Sequence, residues 1–353
     1  MALAAALMAA KGAVMARHDV ASPEVLLPAY ACPDLVSAAL YAGFKPVLVD
    51  LEADTPWMDL EKLREQINSN TVAVIAVHFL GIPERLLSIR KALHGSAALL
   101  IEDSAQLFPA KSTDGVWEGD LVTLSFGRGK PVSLLGGGAV LSQESALNKH
   151  LPLSASAAQK GSKSDIRRQG ILANIKVHLY NYLLSPDFYG VLQRAPFINL
   201  GETIYKPLRG ISPFGADRRN ILAANIISYC LREREQEKWL ASMLKGVDRS
   251  CLSDLTVLGV NRASLPLLRY PLLLKDQSLR DRLFRALSRA GLGVSKMYPK
   301  PLSEIEGLKY AFTHKDEFTE AKSFSQRLLT LPCHSGVSYK DVECIEDFLK
   351  KIV

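Results

Sequence analysis

Asp103, Gln106, Ser125 and Lys130 are the residues whose types and order could do chemistry together. Asp103 closes the apolar run AALLIED and Gln106 follows one helical turn later. Ser125 closes DLVTLSF, and Lys130 stands five residues further on, in SFGRGKPVSLLGGGAV. A carboxylate, a hydroxyl and an amine gathered at one sheet edge match the needs of pyridoxal phosphate. A lysine on a glycine-flanked loop can reach an aldehyde. Burial beside a cationic ring lowers its pKa, making it a nucleophile and later a proton carrier. A carboxylate such as Asp103 keeps a pyridine nitrogen protonated, so that the ring accepts electrons. Ser125 and the N–H groups of its loop can hold a phosphate. Gln106 can bond the ring oxygen or brace the imine. Taken singly, each type is more often structural, and only the ordered set is informative.

These residues need elements to position them. The apolar runs EVLLPAY, KPVLVDL, TVAVIAVHF, AALLIED, DLVTLSF and GGAVL fill residues 24–141, with helical patterns between the first four. Asp59 is placed to cap one helix, and Gly43 and Gly95 to end two others. This alternation predicts an α/β fold with a mostly parallel sheet covered on both faces. Ligands of such sheets gather at the carboxyl ends of strands, where His78, Asp103 and the segment after Ser125 fall. His78 is therefore a candidate substrate contact, although a satisfied core histidine fits equally well.

Residues 145–165, polar and rich in small side chains, are predicted to form a mobile loop. Residues 165–245 read as mainly helical, broken by Pro186, Pro196, Pro207 and Pro213. A smaller α+β unit follows. Its strand is ASLPLLRYPLLL, and its helices are SLRDRLFRALSRAG and SYKDVECIEDFLKKI. The expected division is a large cofactor-binding domain over 1–245 and a small C-terminal domain over 246–353.

Composition narrows the function classes. The chain has 353 residues, 48% hydrophobic and 22% charged, and a net charge of +7 that suits an anionic ligand. Its basic residues are scattered without interleaved aromatics, which argues against nucleic acid. The cysteines (Cys32, Cys230, Cys251, Cys333, Cys344) are odd in number and far apart, suggesting neither a disulfide framework nor a zinc site. His314 and His334 lack acidic neighbours at metal-ligand spacing. The Ala-rich start, MALAAALMAAKGAVMA, lacks the basic region of a signal peptide and reads as an amphipathic or buried helix. With no apolar run of spanning length, a cytoplasmic location is expected. GRGKPV is not a phosphate-binding P-loop, because Leu124 stands where the first glycine belongs and Pro131 replaces Ser or Thr. No GxGxxG follows the first strand, so a nicotinamide site is not expected.

The motif order carries a resemblance. IEDSAQ, then SFGRGK, then LGGGAV is similar to the IEDAAQ, SFxxxK and GGA signatures of the DegT-type sugar aminotransferases. LLPAYACPDLVSAALYAGFKPVLVD and VHFLGIP resemble that family upstream. GVSKMYPKPL and RLLTLPCHSGVSYKDVECI resemble its C-terminal domain. The likeness spans nearly the whole chain and is weakest from about 150 to 245. It implies the aspartate-aminotransferase-like, fold-type I large domain, with pyridoxal phosphate on Lys130, Asp103 at the pyridinium, Gln106 at the ring and Ser125 at the phosphate. Tyr30 or Cys32 would lie over the ring face. It also implies a homodimer whose second subunit completes the phosphate site from the stretch around Arg218.

Two departures accompany the resemblance. The family's phosphate-gripping motif before the first helix has no counterpart ahead of Met1-Ala2-Leu3, and ADRRN keeps only an arginine of its Asn-Tyr-Arg motif. The expected activity is amino transfer, from glutamate to a keto group of a nucleotide-linked sugar. The alternatives are a cofactor-poor, non-catalytic homologue acting as partner subunit or remnant, and a pyridoxal-phosphate sugar dehydratase. Lys130 argues against the latter, since dehydratases of this family carry histidine there.

Overall fold

The computed structural model describes residues 1–109, 116–152, 203–258, 265–308, 310–312 and 317–353. Helix α1 (Ala2–Met15) precedes a six-stranded sheet. Its strands are β1 (Glu24–Pro28), β2 (Lys45–Val49), β3 (Thr71–Val77), β4 (Leu99–Asp103), β5 (Leu121–Ser125) and β6 (Gly138–Leu141). The order is β2-β1-β3-β4-β5-β6, with β6 alone antiparallel. Helices α2 (Asp34–Tyr41), α3 (Leu60–Gln66) and α4 (Leu86–Ala92) make the crossovers.

Successive strand residues point to opposite faces, and here both faces are covered. Val25, Leu27, Ala73, Ile75 and Val77 join one core, while Leu26, Val74 and Ala76 join the other. This explains the continuous apolar runs. The second core is closed by Leu63 of α3 and by Leu86 and Ile89 of α4. On the first face α1 buries Ala4, Ala5, Ala6, Ala9 and Ala10 against β3, β5 and β6, its small side chains admitting the helix close to the sheet. The Asp59 carboxylate accepts from the N–H groups of Glu61 (2.8 Å) and Lys62 (3.2 Å), as expected of a cap. Gly43 and Gly95 terminate their helices in left-handed backbone, at φ 74° and 84°.

The expected loop at 145–165 opens instead with a short helix, α5 (Ser145–Asn148), which buries Leu147; residues 153–165 lie outside the described residues. Of the expected helical stretch, the described part contains irregular chain at 203–215, then α6 (Ala216–Leu231) and α7 (Glu235–Met243). Pro186 and Pro196 fall outside the described residues.

The C-terminal part is a three-stranded antiparallel sheet of β7 (Leu252–Asp254), β8 (Tyr270–Leu274) and β9 (Leu328–Leu331). Helices α8 (Gln277–Arg289) and α9 (Thr319–Arg327) lie on it, and α10 (Tyr339–Ile352) packs on α8 and α7. The strand expected from Ala263 starts only at Tyr270. Ahead of it, the Arg269 side chain donates to the Thr330 hydroxyl (2.7 Å) and the Gly293 carbonyl (2.6 Å). Asp50, just after β2, accepts from the Ala321 N–H (2.8 Å) in the first turn of α9, tying the two sheets' units together.

Candidate active site

Lys130 sits on the connection from β5 to β6, which is closed by its own backbone. Phe126 N–H donates to the Gly137 carbonyl (2.9 Å), while the N–H groups of Leu134 (2.8 Å) and Gly136 (3.0 Å) both donate to the Phe126 carbonyl. Leu135, Gly136 and Gly137 have φ of 60°, 151° and 94°. At Gly137 a Cβ would drive into the Phe214 ring, so the glycine is required on both backbone and packing grounds. The run of glycines read as a motif is thus the hinge of a tight loop. Lys130 is half-buried on that loop. Ser125 Oγ accepts from Gly127 N–H (3.3 Å), keeping its own proton for another acceptor. Ser133 on the same loop has a buried hydroxyl with no hydrogen-bond partner.

Asp103 faces this loop from the end of β4 and is 6% exposed. Its carboxylate accepts from Ala105 N–H (2.9 Å) and from the Thr123 hydroxyl (3.4 Å). Burial pushes the carboxyl above the ordinary aspartate value, and the Ala105 bond and the Lys130 charge offset only part of that. A buried anion with incomplete compensation fits a group that brings a further positive charge. The donor set fits pyridoxal phosphate, with an amine for the aldehyde, a carboxylate for the ring nitrogen, and Ser125 with the unpartnered Ser133 hydroxyl as spare donors. The N-terminal end of α1 lies at the same edge, with Met1 near Asp34 and Asp103. A helix N-terminus favours anions.

The structure brings Cys32, Asp103 and Lys130 together. Burial raises the Cys32 thiol to about 11, with Asp34 adding to the rise and Lys130 opposing it. Tyr30 is enclosed instead. Its ring meets Phe79, Tyr298 and Phe324 edge-on at centroid distances of 5.5, 5.7 and 5.2 Å, and its hydroxyl accepts from Tyr298 N–H (3.3 Å). Gln106 is engaged at both ends of its amide: Oε1 accepts from Leu80 N–H (2.9 Å) and Nε2 donates to the Tyr298 hydroxyl (3.1 Å).

His78, read as either a substrate contact or a satisfied core histidine, has both ring nitrogens engaged. It is fully buried, and Nδ1 accepts from Glu84 N–H (2.9 Å), so Nε2 carries the proton it gives to Glu102 (2.7 Å). Glu102 also accepts from Trp117 N–H (2.6 Å) and Gly119 N–H (3.0 Å). Burial opposes its ionisation, but the His78 and backbone bonds outweigh this and hold its carboxyl below the ordinary range. Arg218 lies along its own chain, its guanidinium against Gly136. Sequence reasoning missed Glu102 and Tyr298. A charged residue inside an apolar strand was the available signal for Glu102. Tyr298 lies in GVSKMYPKPL, a segment that carries the family resemblance without marking any one residue.

A parallel sheet presenting an aspartate and a loop-borne lysine at its carboxyl edge, with a smaller α+β unit beside it, is the architecture of the fold-type I aminotransferases. The chain belongs to the DegT/DnrJ/EryC1/StrS aminotransferase family, whose profile matches residues 1–178 and 232–350. It is 25% identical over 324 residues to the UDP-4-amino-4,6-dideoxy-N-acetyl-beta-L-altrosamine transaminase of Campylobacter jejuni, covering 90% of this chain and 76% of that one. It is 29% identical over 127 residues to the GDP-perosamine synthase of Escherichia coli O157:H7, a match spanning 35% of each. Its fold is shared with the PLP form of a Streptococcus pneumoniae protein assigned as a sugar aminotransferase, at a TM-score of 0.69 and 18% identity, covering 99% of this chain and 85% of that chain. Arg218 falls in the stretch that the family profile does not match. Among the described residues no helix is long and apolar enough to cross a membrane, and no cluster of metal-ligating side chains occurs.

Proposed function

We propose that the chain transfers an amino group from glutamate to a keto group of a nucleotide-linked sugar, with pyridoxal phosphate received between Asp103 and Lys130. The observation that carries this reading is the buried Asp103 carboxylate, only partly compensated, acted on by the charge of Lys130 from the neighbouring loop. When bound, the cofactor supplies an aldehyde that carries the amine and a ring that accepts electrons. Asp103 holds the proton on the ring nitrogen. The Lys130 amine would take a proton from one carbon and return it to another. Ser125 and the unpartnered Ser133 hydroxyl would donate to the phosphate, and the N-terminal end of α1 would add a favourable field. Cys32 lines the space beside them, while Gln106 acts as a brace.

The net charge of +7 favours a diphosphate-bearing substrate. Lys130 itself favours amino transfer over dehydration. The assembly proposed is a homodimer in which the second copy completes the phosphate surroundings from the region of Arg218. We also propose a large cofactor domain and a small C-terminal domain, with α7 packed on the latter. Mass spectrometry of a mixture of full chain, pyridoxal phosphate, glutamate and a nucleotide-linked keto sugar tests the reading. An aminated sugar nucleotide formed by the parent and lost in Lys130→Ala is expected. Full turnover by Lys130→Ala would show the mechanism to be wrong.

A further inference from the structure

Tyr298 comes from the C-terminal part of the chain, yet it is bonded to two loops at the carboxyl edge of the large sheet, those after β1 and β4. Its hydroxyl accepts from Gln106 Nε2 (3.1 Å), and its backbone N–H donates to the Tyr30 hydroxyl (3.3 Å). It also stands beside the Cys32 thiol, and both Cys32 and Asp103 act on its ionisation. The direction of these bonds is fixed. Gln106 Oε1 is taken by Leu80 N–H, so Nε2 must face Tyr298. The tyrosine oxygen therefore accepts, and its own proton is left for Cys32 or for a ligand atom in the space between Asp103 and Lys130.

The backbone at both ends of this bridge is unusual. Met297, next to Tyr298, and Leu80, held by Gln106, are non-glycine residues in left-handed conformation, with φ of 51° and 56°. Such strain persists where surrounding contacts over-determine it, and it collects at sites that need a fixed geometry. Ser295 Oγ accepts from Met297 N–H (3.0 Å) and the Leu80 carbonyl accepts from Leu268 N–H (3.0 Å), so each strained residue is pinned.

We propose that Tyr298 is a positioning residue, linking the C-terminal unit through Gln106 to the turn 79–81 and fixing the wall against which the cofactor ring is received. This rests on the cofactor reading given above. Without the hydroxyl, the buried Gln106 donor loses its partner and the wall loses its register.

The test is a double-mutant cycle in the full chain, with Tyr298→Phe, Gln106→Leu and the two combined. The readouts are the dissociation constant for pyridoxal phosphate by spectral titration and the melting temperature without cofactor. Loss of the partner of a buried donor corresponds to weakening by about 5- to 30-fold in Tyr298→Phe. Gln106→Leu should weaken binding at least as much, and the double variant no more than Gln106→Leu alone. If Tyr298→Phe does not fold, Gln106→Leu reads the same contact from its other end. Unchanged affinity in the variants, whatever their melting temperatures, overturns the proposal and leaves the cofactor reading standing. Fully additive losses overturn the route through Gln106. A parent that binds no pyridoxal phosphate overturns the cofactor reading and this proposal with it.

Discussion

Replacing Asp103 by Asn should stabilise the protein without cofactor while abolishing its activity. The amide oxygen can still accept from Ala105 N–H and Thr123, so the two local bonds survive. What disappears is a buried negative charge that Lys130 only partly balances. Relief of such a charge is on the order of 1 kcal/mol, or about 2–4 °C in melting temperature for a domain of this class. The sign with pH follows from the raised native pKa. The carboxyl favours the native state while protonated, fully so below the ordinary aspartate value. That contribution is lost as pH rises through the native pKa, so the gain from Asn grows with rising pH and closes toward the ordinary aspartate value. Activity moves the other way, because the amide cannot hold the ring-nitrogen proton. A loss of about 100- to 1000-fold in kcat is expected, typical of removing one preorganised electrostatic partner. Differential scanning fluorimetry without cofactor and a coupled glutamate assay measure the two halves. A variant less stable than the parent at pH 8, or one of undiminished kcat, would refute the reasoning.

Two further predictions concern the frame. His78→Ala leaves the buried Glu102 carboxylate short of its hydrogen-bonded partner and should cost about 3–5 kcal/mol in denaturant unfolding. It should change KM for the sugar little among molecules that remain folded, whereas a large KM effect would make His78 a substrate contact. Gly137→Ala should loosen the Lys130 loop, because a Cβ meets the Phe214 ring and the backbone is left-handed there. Weakened pyridoxal phosphate binding is expected, and an unaltered dissociation constant would show that the loop tolerates the change.

The large sheet was legible because both of its faces are covered, which writes each strand as an unbroken apolar run and each crossover as an amphipathic stretch. Asp59, Gly43 and Gly95 marked helix ends through chemistry that acts within a few residues. The places of Asp103 and Ser125 at strand ends, and of Lys130 just beyond, were legible for the same reason, since strand ends locate a sheet edge. Long-range pairings were not. Nothing local says that Gln106 meets Tyr298, or that His78 turns inward to Glu102 and leaves the edge. The four-residue β9 and the late start of β8 escaped because short strands beside prolines carry no periodicity. The weakest resemblance, from about 150 to 245, contains the gap in the family profile at 179–231.

Borohydride reduction of the full chain with pyridoxal phosphate, followed by peptide mass spectrometry, tests the central claim most directly. A phosphopyridoxyl group on Lys130, absent from Lys130→Ala and prevented by prior glutamate, is the predicted result. Labelling spread over surface lysines, or concentrated on a lysine other than Lys130, would contradict it.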